Sequence, residues 1–413
     1  MTKHPSYRAR DQPESGSASQ HRKEKTMHKF EKRDAKSRTL VILAVVGLAA
    51  ALTSFQAQAA DVTLYGLVDY GFNYTHYDAD YTGVDDDSSF QMKSGQNSGS
   101  RFGLKGEEDL GNGLAVGFVL ENGFDADTGV LGNGGRLFGR ESQAYIKGDF
   151  GTVSFGRMGQ LVSGNGTYGL FGSAVSPFST GWGDVGGHSQ VMGSSFERFD
   201  NMITYKTPDF GGFTVYAQYS FDKNSTEAGT QHGSEGKTTV DRYYGIAAQY
   251  KAGNLMIVGA VDSMNWAQPE AGEDNLDDSL SVNLAGTYDF GVAKVYAYGQ
   301  YFQDYKSAGK VIKFENKGGV DGYGINLGVD VPAFGGTAKA AVAYGDFEQT
   351  HNSAMDMKTY QVTLGYTYNL SKRTFFYTAA DYIKADYAKA YEDANKTAVE
   401  NVYEVNAGLV HKF

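Results

Sequence analysis

Residues 100–123 read SRFGLKGEEDLGNGLAVGFVLENG, two alternating segments joined by a short glycine-rich turn. In the first segment the polar and small side chains share one face and the apolar ones share the other: Arg101, Gly103 and Lys105 against Phe102 and Leu104. A β-strand sends successive side chains to opposite faces, and residues 109–113 have the composition of a tight turn. The stretch therefore predicts a β-hairpin.

The same order of strand, short turn, strand and longer polar loop recurs along the chain. Seven short turns are predicted, at residues 108–113, 148–151, 208–212, 251–254, 289–291, 332–336 and 369–372. Eight longer polar loops alternate with them, around Asp80, Asp127, residues 159–195, Ser225, Glu273, Lys310, His351 and Asn395. These connections join sixteen strands. An even strand number, with short turns on one side and long loops on the other, is typical of outer-membrane barrels.

The alternation of polar and apolar residues continues in later segments, for example over residues 213–221, 281–290 and 360–369. A soluble β-sandwich with one wet face is the alternative, but so many uninterrupted strands in one sheet are rare without closure. In lipid an open sheet edge is not tolerated, so the sheet must close. The predicted fold is an all-β, sixteen-stranded antiparallel transmembrane β-barrel over residues 60–413.

The composition agrees with that fold. The chain has 54 Gly, 29 Tyr and 25 Phe but only 6 Pro, as expected for an all-β protein with many tight turns. A mean hydropathy of −0.41 excludes a bundle of membrane helices, whereas a barrel remains compatible because only every second residue faces lipid. The absence of Cys excludes a disulfide scaffold.

Residues 1–59 have the features of a secretory signal peptide. A basic segment at residues 29–38 precedes an apolar run at residues 40–52, and a small-x-small cleavage site ends at Ala59. The apolar run is shorter than the roughly 20 residues that a spanning helix needs. We therefore expect cleavage after Ala59, which makes Ala60 the first residue of the mature chain.

The residues before Met27 are superfluous to such a signal, so Met27 is an alternative start. Removal of residues 1–59 takes away 11 basic and 5 acidic residues and leaves 26 basic and 43 acidic ones, a net charge of −17. A surface of this charge repels nucleic acid and favours cations near the channel entrances. We expect no nucleic-acid partner.

Residues 159–195, called the third loop from here on, interrupt the pattern of strands. They read GQLVSGNGTYGLFGSAVSPFSTGWGDVGGHSQVMGSS, with neither a period of two nor one of 3.6 and with no Lys or Arg. A compact domain rarely contains so long a loop without secondary structure unless the loop is functional. We expect the third loop to fold into the lumen of the barrel and to narrow it.

Six motifs carry a resemblance to a known family. They are LYG at residues 64–66, SRFGLKGEEDLGNGL at 100–114, GRESQAYIKGDFGTVSFGR at 139–157, ERFDNMITYKTPDFGGF at 197–213, YTYNLSKRT at 366–374 and GLVHKF at 408–413. In this order and spacing, the chain resembles the trimeric, sixteen-stranded general porins of the Gram-negative outer membrane. The resemblance implies a homotrimer in the outer membrane. It also implies a passive, water-filled channel for ions and small hydrophilic solutes, without a cofactor.

In that family the third extracellular loop forms a constriction, where acidic groups on the loop face arginines on the barrel wall. By motif position, the resemblance makes Arg101, Arg140 and Arg198 the wall residues here. Fixed opposite charges on two sides of a pore create a transverse field that orients dipolar solutes. Because successive side chains of a strand point to opposite faces, Phe199 is expected on the face opposite to Arg198, which meets lipid or a neighbouring subunit.

The third loop departs from the family pattern because it contains a single acidic residue, Asp184. Pro177, Phe178 and Trp182 are expected to supply bulk at the constriction instead. Asp69, on the lumen-facing side of the first strand, is expected to add a carboxylate. The sign of the charge at the narrowest point stays open at this stage.

Phe413 ends a strand of alternating residues. In porin-like barrels such a terminal aromatic strand is recognised by the outer-membrane barrel assembly machinery, and here it is also expected to close the barrel against the first strand. The acidic runs at residues 78–87 and 270–278 lack EF-hand spacing, so we expect no metal site. They are interpreted as solvated loop tips that divalent cations bridge to lipopolysaccharide.

Three alternatives to a passive porin remain. A substrate-selective porin for oligosaccharides would use Phe178 and Trp182 as a sugar track. An adhesin would bind a partner through its exposed loops. An outer-membrane enzyme such as a phospholipase would need a lipid-facing Ser–His pair. We expect no catalysis, because the chain has neither a GxSxG nor an HExxH motif.

Overall fold

The structure is a computed structural model, and it describes residues 61–78, 87–183, 185, 189–193, 197–224, 235, 239–267, 276–395 and 399–413. The predictions for residues 1–59, for cleavage between Ala59 and Ala60, and for Asp184 therefore fall outside the described residues.

The described residues form seventeen strand segments in one antiparallel sheet. The first nine are β1 (Thr63–Asp78), β2 (Asp87–Ser94), β3 (Arg101–Gly111), β4 (Leu114–Gly123), β5 (Glu141–Gly148), β6 (Gly151–Gly159), β7 (Arg198–Lys206), β8 (Phe213–Ser220) and β9 (Arg242–Ala252). The others are β10 (Leu255–Asn265), β11 (Leu280–Asp289), β12 (Lys294–Ala308), β13 (Phe314–Ala333), β14 (Gly336–Gln349), β15 (Asn352–Asn369), β16 (Thr374–Tyr387) and β17 (Asn401–Lys412).

Strands β2 and β3 are two halves of one barrel strand. Both pair with β1, β2 from Tyr70 to Tyr77 and β3 from Thr63 to Leu67, so they lie end to end along it. Each later strand pairs with its neighbour in sequence, and β17 pairs with β1. The sheet is therefore a closed barrel of sixteen strands, which confirms the predicted fold class.

The seven short turns are confirmed at one end of the barrel. At the other end, one of the eight predicted long loops is wrong. The connection around His351 is a tight turn of two residues between β14 and β15, with His351 in the left-handed region at φ 63°. Paired residues of these two strands reach Glu348 and Asp356, so the polar residues counted as loop extend the hairpin instead.

Helices are minor. The described residues contain a helical turn at Gly132–Gly135, a 3-10 helix at Ser189–Val191 and a short helix at Lys389–Ala394. Among the residues described, no helix is long and apolar enough to cross a membrane.

The two faces of the wall differ as the alternation predicts. In β11 the side chains of Ser281 and Asn283 are buried, whereas Val282 and Leu284 are 46% and 61% exposed. The exposed apolar side chains face outward, where lipid replaces water, and the polar ones face inward.

The chain ends close the barrel. Gly66 and Phe413 exchange two backbone hydrogen bonds, at 3.2 and 3.0 Å, and β1 and β17 are paired from Leu67 to Asp78. Gly66 is required at this contact, because a Cβ there would lie 2.4 Å from the ring of Phe413. The prediction that the terminal strand closes against the first one is confirmed.

The expected outward position of Phe199 is wrong. Phe199 is 2% exposed and packs against Tyr243 on the lumen side, with ring centroids 5.1 Å apart. Asn201 adopts a left-handed φ of 51°, and the pairing of β6 with β7 shifts between Gly156 and Met158. Such an irregularity breaks the period of two, so parity counted across it assigns the wrong face.

Candidate functional site

The third loop lies inside the barrel. Its first limb forms a buried apolar cluster with wall residues of β6 to β12, in which Leu161, Phe171 and Val175 are fully buried. Phe171 meets Tyr298 of β12 edge to face, with ring centroids 5.9 Å apart. Because the residues contacted are on the inward face of their strands, the loop fills part of the lumen, as predicted.

The tip of the loop reaches the opposite arc of the wall. Pro177 lies against Gly328 of β13, and Phe178 lies against Gly365 of β15, where Cβ atoms would approach within 2.2 and 2.6 Å. Two wall glycines thus leave the space that these rings occupy.

Trp182 completes this contact at β16 and β17. Its ring meets those of Phe178 and Tyr377 edge to face, at 5.1 and 5.6 Å, and its carbonyl accepts a hydrogen bond from Asn406 at 3.0 Å. Trp182 is 4% exposed and Phe178 is fully buried. These residues do belong to the loop inside the lumen, but they anchor it to the wall and do not line the open channel.

Asp69 is also buried and does not add an open carboxylate to the pore. Its Oδ2 accepts hydrogen bonds from the backbone N–H groups of Asn97 and Ser98, both at 2.8 Å, and its Oδ1 accepts one from Tyr377 at 2.7 Å. The segment between β2 and β3 therefore folds over Asp69, and the charge stabilises the break in that strand.

The three predicted wall arginines come together on the arc from β3 to β7. Arg101 is the first residue of β3, Arg140 immediately precedes β5, and Arg198 is the first residue of β7. The guanidinium of Arg198 interacts electrostatically with those of Arg140 and Arg101. Prediction by motif position thus identified three residues that come from separate segments of the chain and lie close together.

Glu121 of β4 is the carboxylate beside these arginines, and the sequence analysis missed it. Arg140 Nε donates to Glu121 Oε1 at 2.7 Å, Arg101 Nη1 lies 3.9 Å from the same oxygen, and Tyr65 donates to Oε2 at 3.1 Å. Glu121 is opposite Gly103, on the same inward face as Arg101. The alternation of side chains along β4 predicts that Glu121 points inward, and this is the sequence signal that identifies it.

Arg198 makes no ion pair within 4 Å among the described residues, and its closest polar contact is Asn133 Oδ1 at 3.5 Å. Its Nε is buried without a hydrogen-bond partner among those residues. Arg140 is held in place by its surroundings, since Cβ atoms at Gly99 and Gly123 would lie 2.8 and 2.9 Å from its side chain. Glu121 and Glu141 act on Arg198 electrostatically from farther away, so Arg198 is the wall arginine without an ion pair within 4 Å among the described residues.

A second group of charges stands beside the first, in which two arginines, Arg136 and Arg157, share one carboxylate, Asp200. Asp200 accepts hydrogen bonds from Arg136 at 2.6 Å and from Arg157 at 2.7 Å. Arg136 also donates to Asn224 at 2.6 Å. These contacts fasten the loop between β4 and β5 to the barrel wall at β7.

Glu141 of β5 connects this wall to the third loop. Its Oε1 accepts hydrogen bonds from Gln143 Nε2 at 2.7 Å and from the backbone N–H of Thr167 at 3.1 Å. Glu141 is 3% exposed, so its charge is enclosed by the loop. Among the described residues no group of His, Asp or Glu has an arrangement that could hold a metal ion.

The third loop and the three arginines lie on the inward side of the same barrel. The Gram-negative porin family model matches residues 43–388. The chain belongs to the Gram-negative porin family. It is therefore an outer-membrane porin, and the family evidence favours a channel over an enzyme.

Relatives of known identity support this assignment along the whole barrel. The chain is 33% identical over 399 residues to an outer membrane porin protein of Bordetella pertussis, covering 89% of this chain and 99% of that protein. It is 32% identical over 390 residues to outer membrane porin protein 32 of Delftia acidovorans, covering 91% and 99%.

Among solved structures, the anion-selective porin from Comamonas acidovorans matches with a TM-score of 0.63 and 28% identity. The match covers 86% of this chain and all of that one. A passive, water-filled channel across the outer membrane is thus the function of this porin.

Proposed function

We propose that this porin conducts anions in preference to cations, and that Arg101, Arg140 and Arg198 form the selective wall of its constriction. The observation that carries the proposal is the clustering of three arginines at this wall, one of which, Arg198, makes no ion pair within 4 Å among the described residues. Glu121 is the carboxylate that pairs with Arg101 and Arg140, and Arg198 has no ion-pair partner among the described residues.

The physical reason is the low-dielectric boundary of a narrow pore. Two unit charges about 4 Å apart interact by about 1 kcal/mol in bulk water and by several times that near a protein surface. An anion that passes the wall gains this interaction, whereas a cation is repelled. The anion-selective porin from Comamonas acidovorans, at 28% identity, supports the same sign.

The acidic net charge of the chain acts at a different place. The described part of the third loop has no acidic residue, and the acidic runs at residues 78–87 and 270–278 are predicted from the sequence to be loop tips. Rim charges are solvated and screened over about 10 Å at 0.1 M salt. The cation-favouring entrances predicted from the composition are thus compatible with an anion-selective constriction.

A gradient of potassium chloride across a planar bilayer tests the proposal. The zero-current potential of the wild-type channel should have the sign of chloride preference at low salt, and the preference should weaken towards 1 M, where the screening length is about 3 Å. A zero-current potential with the sign of potassium preference would contradict it.

We also propose a homotrimer, with lipopolysaccharide and the outer-membrane barrel assembly machinery as partners of the outer face and of Phe413. One neighbour in fold, at 16% identity, is described as a trimer form. Phe413 is 48% exposed at the end of the barrel, where another protein can reach it. Native mass measurement in detergent tests the trimer, which a monomeric mass would exclude.

The structure gives less support than the sequence to the alternative of a porin selective for oligosaccharides. A sugar track requires aromatic faces that are open to the lumen, and Phe178 and Trp182 are buried between the loop and the wall. Small hydrophilic anions remain the solute class that this constriction fits best.

A further inference from the structure

Gln190, on the return limb of the third loop, makes four hydrogen bonds to the extracellular loop between β12 and β13. Its Oε1 accepts hydrogen bonds from the backbone N–H groups of Val311 at 2.9 Å, Ile312 at 3.2 Å and Lys310 at 3.3 Å. Its Nε2 donates to the carbonyl of Ile312 at 2.8 Å. Gln190 is 1% exposed, so these bonds form away from water.

The loop between β12 and β13, residues 309–313, is shaped around this side chain. Gly309 has a φ of +76°, and a Cβ there would lie 2.2 Å from the carbonyl oxygen of Ile312 and 2.9 Å from Gln190 Nε2. Three consecutive N–H groups of that turn converge on one oxygen and are satisfied by Gln190. A buried polar group of this kind is costly to leave unpaired.

Neighbouring contacts continue the attachment. Gly309 donates from its backbone N–H to the carbonyl of Met192 at 2.9 Å, and Gly193 donates to Gln300 Oε1 at 2.9 Å. Lys310 Nζ donates to the carbonyl of Gly183, next to the anchored Trp182. The third loop is thus fixed at its tip by aromatic packing and at its return limb by residues 309–313.

We propose that Gln190 is a positioning residue through which residues 309–313 determine the position of the third loop and hence the width of the channel. A molecule that binds residues 309–313 from outside the cell would then alter the conductance without entering the pore. The proposal rests on the third loop bounding the channel, and it is independent of the anion preference.

The physical argument is that hydrogen bonds in a buried network hold the two loops in one arrangement. Replacing Gln190 by Ala leaves the N–H groups of residues 310–312 without their acceptor. The return limb should then move between several positions, while the barrel itself should remain folded, because the pairing of each strand with its neighbours does not involve Gln190.

The first test compares Gln190→Ala with Gln249→Ala in single-channel recordings. Gln249 is a buried glutamine on the lumen side of β9. Among the described residues its side chain bonds to Met256 Sδ of β10 and not to the third loop. Gln190→Ala should at least double the open-channel current noise or add subconductance levels, and Gln249→Ala should do neither. Equal noise in both variants at unchanged trimer content would overturn the proposal.

The second test attaches a bulky protein, streptavidin, to residues 309–313 from the extracellular side. The chain has no Cys, so Lys313→Cys introduces one thiol on the exposed side of residues 309–313 for biotinylation and streptavidin binding. Streptavidin should shift the conductance in this variant. It should have no effect on the double variant with Gln190→Ala, nor on Ser353→Cys on the neighbouring hairpin.

A shift that persists in the double variant would mean that streptavidin obstructs the entrance directly, and it would overturn the proposal. The absence of any shift in Lys313→Cys alone would overturn it as well. The zero-current potential, measured in the same experiment, reports on the anion preference separately, so the two proposals can fail independently.

Discussion

Arg140 donates two hydrogen bonds to Glu121, one from its side chain and one from its backbone. Arg140 Nε donates to Glu121 Oε1 at 2.7 Å, and the backbone N–H of Arg140 donates to the carbonyl of Glu121 at 3.2 Å. The double contact fixes the guanidinium against β4 immediately before β5 begins. It also makes Glu121 the carboxylate that reduces the positive charge of the arginine wall.

Replacement of Glu121 by Gln should therefore increase the preference for anions. Gln keeps the size and hydrogen-bonding capacity of the side chain but removes its negative charge. An interaction of about 1 kcal/mol corresponds to a roughly fivefold change in the chloride-to-potassium permeability ratio. The zero-current potential at low salt measures it, and Glu107→Gln, which removes an exposed carboxylate towards the short-turn end of the barrel, is the control. A shift towards potassium would contradict the assignment of Glu121.

Removal of the aromatic anchor should loosen the tip of the third loop. The double variant Phe178→Ala, Trp182→Ala loses the edge-to-face contacts with each other and with Tyr377, which contribute about 0.5–1.5 kcal/mol per pair beyond area burial. We expect a larger and noisier single-channel conductance with a folded barrel. Phe334→Ala, at an aromatic side chain that is 95% exposed in the turn between β13 and β14, should leave the conductance unchanged, and an identical effect of both variants would refute the anchor.

The barrel closure should be sensitive to a single methyl group at Gly66. A Cβ at this position would lie 2.4 Å from the ring of Phe413 and 2.5 Å from the carbonyl oxygen of Arg101. Gly66→Ala should lower the amount of heat-resistant folded protein on semi-native gels. Gly259→Ala is the matched control, because the nearest heavy atoms to a Cβ there are 3.8 Å away. Equal yields of folded protein from Gly66→Ala and Gly259→Ala would show that the two chain ends move to accommodate the added methyl group.

The mature protein should begin at Ala60. The basic segment, the apolar run and the small residue at Ala59 together favour cleavage at this bond. Mass spectrometry of the protein extracted from outer membranes measures the N-terminus directly. A mass that retains residues before Ala60 would show that the signal is not removed there.

The strand number and the connections were predictable because they depend on local signals. Alternation identifies each strand, and motifs such as KTPDFGG at residues 206–212 identify the turns. His351 shows the limit of this reasoning. The polar residues around it predict a long loop. A left-handed residue at the hairpin turn instead allows both strands to continue.

The candidate site was predictable where family motifs mark it and unpredictable where distant segments meet. Arg101, Arg140 and Arg198 were found by motif position. Gln190 was not, because its hydrogen bonds reach residues more than 120 positions away. Phe178 and Trp182 were assigned to the loop correctly, but their burial depends on glycines in β13 and β15 that no local pattern connects with the loop.

The central claim is that the arginine wall sets the selectivity of the channel, and the most direct test is the zero-current potential of Arg198→Ser and Arg101→Ser in a potassium chloride gradient. Each variant should shift towards cations at low salt, with a smaller shift near 1 M, where the screening length is about 3 Å. Arg373→Ser, an exposed arginine in a short turn, should match the wild type. Folded, trimeric variants of Arg198 and Arg101 with the wild-type potential at low salt would contradict the claim.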